Sequence, residues 1–567
     1  MFSKNTHYVD DTLLILTMAI LAGCGLIYEY LLSHYAGRVL GVMESTIYTM
    51  IGLMIVSMGL GAFAARKVRC AFNGFVYLEL IIALLGSSAI LIIGGLIAIT
   101  QILPTIIADT FLLPPDMTPH GGIFKLLNVI AFNSPYFFGV ILGFFIGMEI
   151  PLIARIREDI HGQHLANNLG TIYGADYIGA GIGAAIWVLF LLSIDISKAA
   201  AITASLNLIA GSFFILRYWQ KLTWRKTFVS LHLILALIII LLFNLGNQWL
   251  NQMNSLLYLD KVVYSTKTRY QQLTFTERHM GINADTTQHN IINFYLNGRL
   301  QFSSIDEHIY HDYLVAPVLA GSARHDNILI IGGGDGLALR DVLNYAPKSV
   351  TLIDLDSELI DVFQTPSKHL PTRLTKQIKN INKNSLQDKR VNIVRADAFI
   401  AINNLLNAKK VFDAIIVDLP DPSHPDLNKL YSVNFYARLK QLLSGDGLIA
   451  IQSTSPYHAK SSFISIGKTL SAANFLHVQQ YHDNVPSFGE WGWTIAAKMG
   501  ASPLNRLKQL DRLPIRHSWL NIDMLKASFI FPNDFYKDKE KIPVNILGTH
   551  TLYQLHQKAW QDQQGIP

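Results

Sequence analysis

Aspartates lie at or near the ends of four apolar runs in the second half of the sequence. Asp354, Asp397 and Asp418 close the runs VTLID, VNIVRAD and FDAIIVD, and Asp421 follows three residues after the last of these. Asp335 lies in a glycine-rich turn after the run NILII. Carboxylates accept hydrogen bonds from hydroxyl and amino groups, and they accept protons from nucleophiles. The set therefore predicts a site for the ribose hydroxyls and the base amino group of a nucleoside.

Helical segments separate most of these runs, for example LALRDVLNYA and NFYARLKQLL. This alternation is typical of a parallel α/β sheet. Ligands of such sheets bind outside the carboxyl ends of the strands, so we expect the sheet to bring the aspartates to one edge. Upstream, QQLTFTERH and IINFYLNGRLQFS predict short strands joined by polar turns.

The turn Gly332–Gly336 holds three glycines before Asp335 and one after it. No Lys-Ser/Thr pair follows, so the turn is not a P-loop, and Asp335 would repel a pyrophosphate. A nucleoside without phosphates, such as an adenosyl sulfonium, fits better than NAD. Taken alone, Asp335 suits equally well a cap of the helix that begins near Leu337, and the other aspartates suit turns.

The first half of the chain is too apolar for a soluble domain. The protein has 567 residues, 51% of them hydrophobic and 15% charged, whereas soluble proteins carry about 25% charged residues. A membrane-spanning helix needs about 20 mainly apolar residues. Seven segments meet this requirement, at approximately 12–33, 46–65, 75–100, 129–150, 170–193, 197–217 and 226–247. The net charge of +6 is too small to indicate a nucleic-acid partner.

Glu29, Glu79, Glu149 and Asp176 lie in or at the edges of these segments. Intramembrane acids usually face a protein interior or a cavity. Glu29, Glu149 and Asp176 are therefore candidates for a cation path, and the alternative is placement at the interface or pairing with Arg155.

The region from Arg269 to about Lys498 resembles the spermidine synthases, or polyamine aminopropyltransferases. The matching segments are Tyr270-Gln271, LNGRLQFSSIDEHIYHDYLVAPVL, ILIIGGGDGLALRDVL, LIDLD and VDLPDPSHP, and they occur in this order. Several spans ahead of such a domain, together with CGLIYEYLL and FGEWGW, resemble the membrane-bound bacterial branch. We therefore expect a helical transmembrane domain (1–250), a small β-strand domain (251–325), a Rossmann-like parallel α/β domain (326–533) and a C-terminal tail (534–567).

The resemblance implies that six residues bind the donor, decarboxylated S-adenosylmethionine: Gln271, His311, Asp335, Asp354, Asp397 and Ala398. Gln271 and Asp335 are expected to hold the aminopropyl end. Asp354 is expected to bind the ribose hydroxyls, and Asp397 to contact the adenine. The donor is a co-substrate, so no cofactor and no metal ion are expected.

Tyr310, Asp418 and Asp421 are expected, again from the resemblance, to bind the diamine putrescine, with Asp418 as the catalytic base. The implied reaction is a displacement at the carbon next to a sulfonium: the amine forms a bond to this carbon, the thioether leaves as methylthioadenosine, and the product is spermidine. The attacking amine must be neutral, although a free alkylamine has a pKa of about 10.4. A carboxylate beside the nitrogen can accept the proton as the new bond forms.

Three positions depart from the family pattern. Asn297 replaces the usual Asp of a turn, which Asn tolerates. Ala398 replaces a Gly and is expected to tighten the adenine pocket. Phe488 lacks the hydroxyl of a Tyr that helps to bind the diamine, and this leaves open whether the amine is putrescine, cadaverine or a longer polyamine.

Two other functions remain open: a methyltransferase built on the same sheet, and a polyamine transporter or sensor whose synthase-like domain only binds. We expect a multi-pass inner-membrane protein that forms a homodimer or homotetramer, with its catalytic domain in the cytoplasm, where the donor is made. Basic residues after the even-numbered spans place the N-terminus in the cytoplasm, and seven spans then place the catalytic domain outside. An extra crossing near residues 101–114 would remove this conflict, and so would a failure of the charge rule in this protein. The third alternative is a catalytic domain that faces outward.

Overall fold

The computed structural model describes residues 2–40, 43–112, 121–161, 168–256, 258, 260–278 and 290–564. It divides into two compact units, Met1–Leu259 and Asp260–Pro567. The first unit is helical, and the second combines two β-sheets with helices.

The first unit consists of long apolar helices. They are α1 (Phe2–Leu40), α2 (Met43–Ala64), α3 (Ala71–Thr110), α4 (Ile123–Ile146), α5 (Glu149–His161), α6 (Asn168–Leu189), α7 (Ile196–Arg217) and α8 (Arg225–Ser255). Within the described residues, seven stretches are long and apolar enough to cross a membrane, with α4 and α5 forming one of them. The described residues contain no separate helix for an extra crossing near 101–114, because α3 continues through Pro104 to Thr110; residues 113 and 114 lie outside the described part.

Glycines allow α1 and α6 to approach closely. A Cβ atom on Gly179 would lie 2.0 Å from the carbonyl oxygen of Ala19, and one on Gly183 would lie 2.5 Å from that of Gly23. Any side chain at these two positions would push the helices apart, as in other small-residue helix contacts. Gly174 of α6 has no atom within 4 Å of its Cβ position, so it does not contribute to this contact.

Two acidic side chains, Glu79 and Glu149, are buried inside the first unit. Glu79 accepts a hydrogen bond of 2.9 Å from Asn207, which in turn accepts one of 3.2 Å from the hydroxyl of Tyr28. Glu149 is fully buried. The predicted alternative of pairing with Arg155 has no support, since the Arg155 guanidinium donates to backbone carbonyl groups, among them that of Val68 at 2.8 Å.

The second unit begins with a four-stranded antiparallel sheet. Its strands, in spatial order, are β1 (Lys261–Lys267), β2 (Gln272–Arg278), β3 (Ile291–Leu296) and β4 (Arg299–Ser303). Asn297 and Gly298 form the β3–β4 turn with positive φ angles of 49° and 81°, which suits the Asn-Gly pair of a tight hairpin. The side chain of Asn297 also accepts a hydrogen bond from the backbone N–H of Gln272, so Asn serves this turn as expected.

The larger sheet has seven strands in the order β10-β11-β9-β8-β5-β6-β7. The strands are β5 (Asn327–Gly332), β6 (Ser349–Asp354), β7 (Val391–Arg395), β8 (Phe412–Asp418), β9 (Leu443–Gln452), β10 (Leu476–Val485) and β11 (Gly489–Ala497). Strands β5 to β9 are parallel, whereas β10 and β11 are antiparallel additions at one edge. This architecture confirms the predicted fold class.

Helices cover both faces of this sheet. They are α9 (Glu307–Ala320), α10 (Leu337–Leu343), α11 (Ser357–Gln364), α12 (Pro366–His369), α13 (Thr372–Asn382), α14 (Ala398–Asn407), α15 (Val433–Leu442), α16 (Lys460–Ala472), α17 (Pro503–Lys508), α18 (Ile522–Ala527) and α19 (Thr551–Gln564). Alternate residues of β5 enter different cores: Ile328 and Ile330 join one, and Leu329 and Ile331 join the other. Both faces of the strand are therefore buried, as its continuous apolar run indicates.

The structure divides the chain differently from the predicted domains. The small sheet shares one hydrophobic core with the large one, since Phe275 of β2 and Ile330 of β5 belong to the same cluster. The segment after Asp534 is part of the second unit. Its helix α19 buries Leu552 completely in the other core, and this apolar contact outweighs the polar, tail-like composition of the segment.

Candidate active site

The glycine turn and Asp418 meet where the strand order of the large sheet reverses. Strand β5 lies between β6 and β8, and Gly332 is paired with Asp418 in the parallel register. Such a switch point opens a crevice at the carboxyl ends of the strands. Gly332 has a φ of 82°, and a Cβ atom there would lie 2.0 Å from the carbonyl oxygen of Asp418. Glycine is therefore required for this close approach.

Asp418 and Tyr310 are in direct contact. The Tyr310 hydroxyl on α9 donates a hydrogen bond of 2.7 Å to Asp418 Oδ1. Burial raises the pKa of Asp418, although the charge of His311 and the Tyr310 hydrogen bond act in the opposite direction. Asp418 is thus a stronger base than an exposed aspartate, and the hydroxyl holds its carboxylate in a defined orientation.

Asp335 follows the glycine turn and caps α10, because its Oδ1 accepts a hydrogen bond of 2.9 Å from the backbone N–H of Leu337. The capping role and a role in the site are therefore compatible. Burial raises the pKa of Asp335 to about 6, against the lowering influence of His311. Burying a carboxyl group that ionises near neutral pH lowers the stability of the fold, and such groups concentrate at functional sites.

A buried ion network lies behind this pair of carboxylates. His311 Nδ1 is 2.9 Å from Glu307 Oε2, and Arg340 contacts Glu307 at 2.6 and 3.1 Å. Burial alone lowers the pKa of His311, but the hydrogen bond and charge of Glu307 raise it to about 9. The imidazole is therefore protonated at neutral pH, and its charge offsets those of Asp335 and Asp418. The sequence analysis missed Glu307 and Arg340. Their positions on the helices α9 and α10 do not indicate that the two side chains pair.

Asp354 lies next to the glycine turn, and Gln271 is connected to it through Asp356. Asp354 accepts hydrogen bonds from the N–H of Gly334 at 3.0 Å and of Asp356 at 2.9 Å. Burial raises the pKa of Asp354 to about 6. The Gln271 amide donates to Asp356 Oδ2 at 2.9 Å. Asp356, which was predicted only as part of the LIDLD run, thus links Gln271 to the site.

Asp397 stands at the start of α14 and accepts a hydrogen bond of 2.8 Å from the N–H of Phe399. Lys429, which sequence reasoning missed, contacts the other carboxylate oxygen at 2.6 Å. Ala398 is buried as the first residue of α14. Asp397 lies at the same sheet edge as Asp354, because the N–H of Ala396 bonds to the Asp354 carbonyl oxygen at 3.0 Å.

Asp421 lies in the loop after β8 and has three long polar contacts. Gln452, Thr454 and His556 each approach its carboxylate oxygens at 3.4 Å. Gln452 and Thr454 could have been found in the sequence, because polar residues at the carboxyl ends of strands line such sites and β9 ends at Gln452. His556 gave no such signal, because it lies in the segment predicted as a tail.

Phe488 forms part of an aromatic wall beside Tyr310. Its ring centroid lies 6.1 Å from that of Tyr310 and 5.1 Å from that of Trp491, and the Trp493 ring lies 5.7 Å from Tyr310. The hydroxyl that the family pattern has at this position is replaced by an apolar surface, which suits the methylene chain of a ligand.

Comparisons with known proteins show the family of the chain. The spermine/spermidine synthase domain family matches residues 307–509. A polyamine aminopropyltransferase of Shewanella oneidensis is 56% identical over 559 residues, which cover 99% of this chain and 96% of that protein. The chain belongs to the polyamine aminopropyltransferases. The similarity covers the helical unit as well as the synthase domain, so the two-unit organisation is shared with that relative.

The similarity to a more distant relative also covers nearly the whole of both chains. Polyamine aminopropyltransferase 1 of Streptomyces coelicolor is 31% identical, covering 97% of this chain and 95% of that protein. A solved structure of a spermidine synthase in complex with the transition-state analogue AdoDATO is 24% identical, covers 50% of this chain and 90% of that chain, and has a TM-score of 0.42.

Proposed function

We propose that this protein transfers the aminopropyl group of decarboxylated S-adenosylmethionine to putrescine, giving spermidine and methylthioadenosine. The observation that carries the proposal is the contact of Tyr310 with Asp418 at the strand switch point, beside the buried carboxyl group of Asp335. Membership of the polyamine aminopropyltransferases supports it.

The donor would bind along the carboxyl ends of β5, β6 and β7. Asp354 would accept hydrogen bonds from the ribose hydroxyls and Asp397 from the adenine amino group, next to Ala398. Asp335 would hold the cationic aminopropyl end, with Gln271 acting from the side of Asp356 and His311 balancing the charge. A carboxylate at this position also disfavours the intact methyl donor, which carries its own carboxylate there. The donor is consumed, so we propose no additional cofactor and no metal ion.

The amine would bind between Tyr310, Asp418 and Asp421. Its attacking nitrogen gives up a proton to Asp418, and its lone pair forms the new bond to the carbon attached to the sulfonium. The carbon–sulfur bond breaks, and its electron pair stays on sulfur as the thioether of methylthioadenosine. The sulfonium loses its charge in this step, so catalysis depends on proton removal and on alignment within about 3–3.5 Å.

We further infer that the helical unit spans the membrane and that the catalytic unit faces the cytoplasm, where the donor is made. The seven long apolar helices support the first inference. The resemblance to soluble family members, which form dimers or tetramers, supports a homodimer or homotetramer.

A product assay on detergent-purified full-length protein tests the activity. We expect spermidine and methylthioadenosine in equal amounts from putrescine and the decarboxylated donor, formed at least about 100-fold more slowly by Asp418→Asn. Cadaverine and spermidine as acceptors define the amine preference. Methylated polyamine formed from intact S-adenosylmethionine would instead establish a methyltransferase. Saturable donor binding without any product would contradict the proposal and favour a sensor or transporter.

A further inference from the structure

Helix α19 is fastened next to the loop that carries Asp421. Leu552 is fully buried, and the N–H of Tyr553 donates a hydrogen bond of 3.0 Å to the side chain of Asn428. Asn428 belongs to the 3-10 helix Pro425–Tyr431, and its carbonyl oxygen accepts a further hydrogen bond of 2.8 Å from Asn545. The C-terminal segment therefore contacts, at two points, the 3-10 helix that follows the loop with Asp421.

This anchoring brings His556 to the carboxylate of Asp421. His556 is 1% exposed, and its Nε2 lies 3.4 Å from Asp421 Oδ2. A carboxylate oxygen only accepts, so Nε2 is the donor. Arg299 of β4 is a cation in the same neighbourhood, with electrostatic interactions to both Asp421 and Tyr553. The nearby Lys429 contacts Asp397, and Lys468 of α16 contacts the carbonyl oxygen of Lys539, both at other sites.

The three contacts to Asp421 are all 3.4 Å long, which is beyond the usual range of 2.7–3.2 Å for such bonds. They orient the carboxylate without saturating it, because an ammonium group can still approach to the shorter distance of a charge-assisted hydrogen bond, about 2.7–2.9 Å. Phe488 is apolar and offers no hydrogen bond to the amine. Amine binding therefore depends more on the orientation of Asp421 than it would with a tyrosine hydroxyl at this position.

We propose that His556 is a positioning residue that directs the Asp421 carboxylate towards the distal ammonium group of the diamine, so that α19 forms part of the amine specificity site. This inference rests on the proposed aminopropyl transfer. It assigns to the C-terminal helix a role in the acceptor half of the site and none in the donor half.

Steady-state kinetics of the full-length protein in detergent test the proposal, with putrescine varied at saturating donor. His556→Ala is expected to raise the KM for putrescine about tenfold, the effect of losing one hydrogen bond to a charged group. The kcat and the KM for the donor are expected to change less than twofold. His556→Gln keeps an N–H donor and is expected to recover most of the putrescine affinity. His550→Ala, an exposed histidine just before α19, is the matched control and is expected to leave all constants unchanged.

An unchanged KM for putrescine in His556→Ala would overturn the proposal, and so would a kcat that falls as far as the KM rises, since that pattern indicates general damage. Equilibrium dialysis with labelled putrescine measures the same change as a Kd without turnover. If the parent protein makes no spermidine but His556→Ala still weakens putrescine binding, the proposed function fails and the role of His556 stands. If the parent makes spermidine and the Kd does not change, only the role of His556 fails.

Discussion

The hydroxyl of Tyr310 donates a hydrogen bond of 2.7 Å to Oδ1 of Asp418 across the carboxyl ends of the central strands. The phenol orients the carboxylate and lowers its basicity somewhat, whereas burial raises it. Because a base acts through both its geometry and its pKa, this contact is central to the proposed chemistry.

Removal of the phenol hydroxyl is expected to impair amine turnover. Tyr310→Phe keeps the ring between Phe488 and Trp493 but leaves Asp418 without this donor. A hydrogen bond to a charged group contributes about 1.5–3 kcal/mol, so we expect kcat/KM for putrescine to fall by about 10- to 100-fold. Tyr345→Phe, which removes a hydroxyl that contacts His517 instead, is the control. Equal losses in both variants would contradict the assigned role.

Ionised Asp335 is expected to lower the free energy of unfolding of the protein. Its pKa is about 6 in the folded protein and 3.8 in the reference state. The group therefore contributes stability below about pH 3.8 that is lost as the pH rises through about 6. Asp335→Asn has no such loss, so the variant is expected to be more stable than the parent at pH 8 by on the order of 2 kcal/mol. The difference should close towards pH 4.

Thermal unfolding of the parent and the Asp335→Asn protein, followed by tryptophan fluorescence at pH 4, 6 and 8, measures this difference. Activity of the variant is expected to be lost at every pH, since the donor loses its aminopropyl contact. A variant that is less stable than the parent at pH 8 would show that Asp335 is mainly a helix cap.

The native cysteines offer a direct test of membrane orientation. Cys24 is buried and Cys70 is exposed in the link between α2 and α3. If all seven apolar stretches cross the membrane, as proposed, this link and the catalytic unit lie on opposite sides, and a cytoplasmic catalytic unit requires Cys70 outside. We therefore expect a membrane-impermeant maleimide to label intact spheroplasts at Cys70, and Cys70→Ser to abolish labelling. Labelling only after permeabilisation would place the catalytic unit outside, as the basic residues after α2 indicate.

Local patterns were sufficient to predict the parallel sheet and the strand-end aspartates. Alternation of apolar runs with helices indicates that the strands are parallel, and the carboxyl ends of parallel strands lie at the same edge of the sheet. For this reason the amino-acid sequence alone groups Asp335, Asp354, Asp397 and Asp418. The Asn-Gly turn at Asn297 could be predicted in the same way, because its conformation depends on only two residues.

Contacts between distant segments could not be predicted in this way. The ion pair of Glu307 with Arg340 joins two helices, and its members look like ordinary charged helix residues in the sequence. His556 reaches Asp421 across 135 residues, from a segment whose polar composition resembles a loose tail. One fully buried apolar residue in that helix, Leu552, is too weak a pattern to predict docking.

The rate of methylthioadenosine formation in a single turnover tests the central claim most directly. Asp418→Asn should be compared with Asp413→Asn, which changes the same strand at its other end, where the side chain accepts a hydrogen bond from the N–H of Asn327. General-base catalysis contributes about 10²–10⁴-fold, so we predict a loss of at least about 100-fold in Asp418→Asn and less than about threefold in Asp413→Asn. A rate within about threefold of the parent for Asp418→Asn, with donor and putrescine bound, would contradict the account.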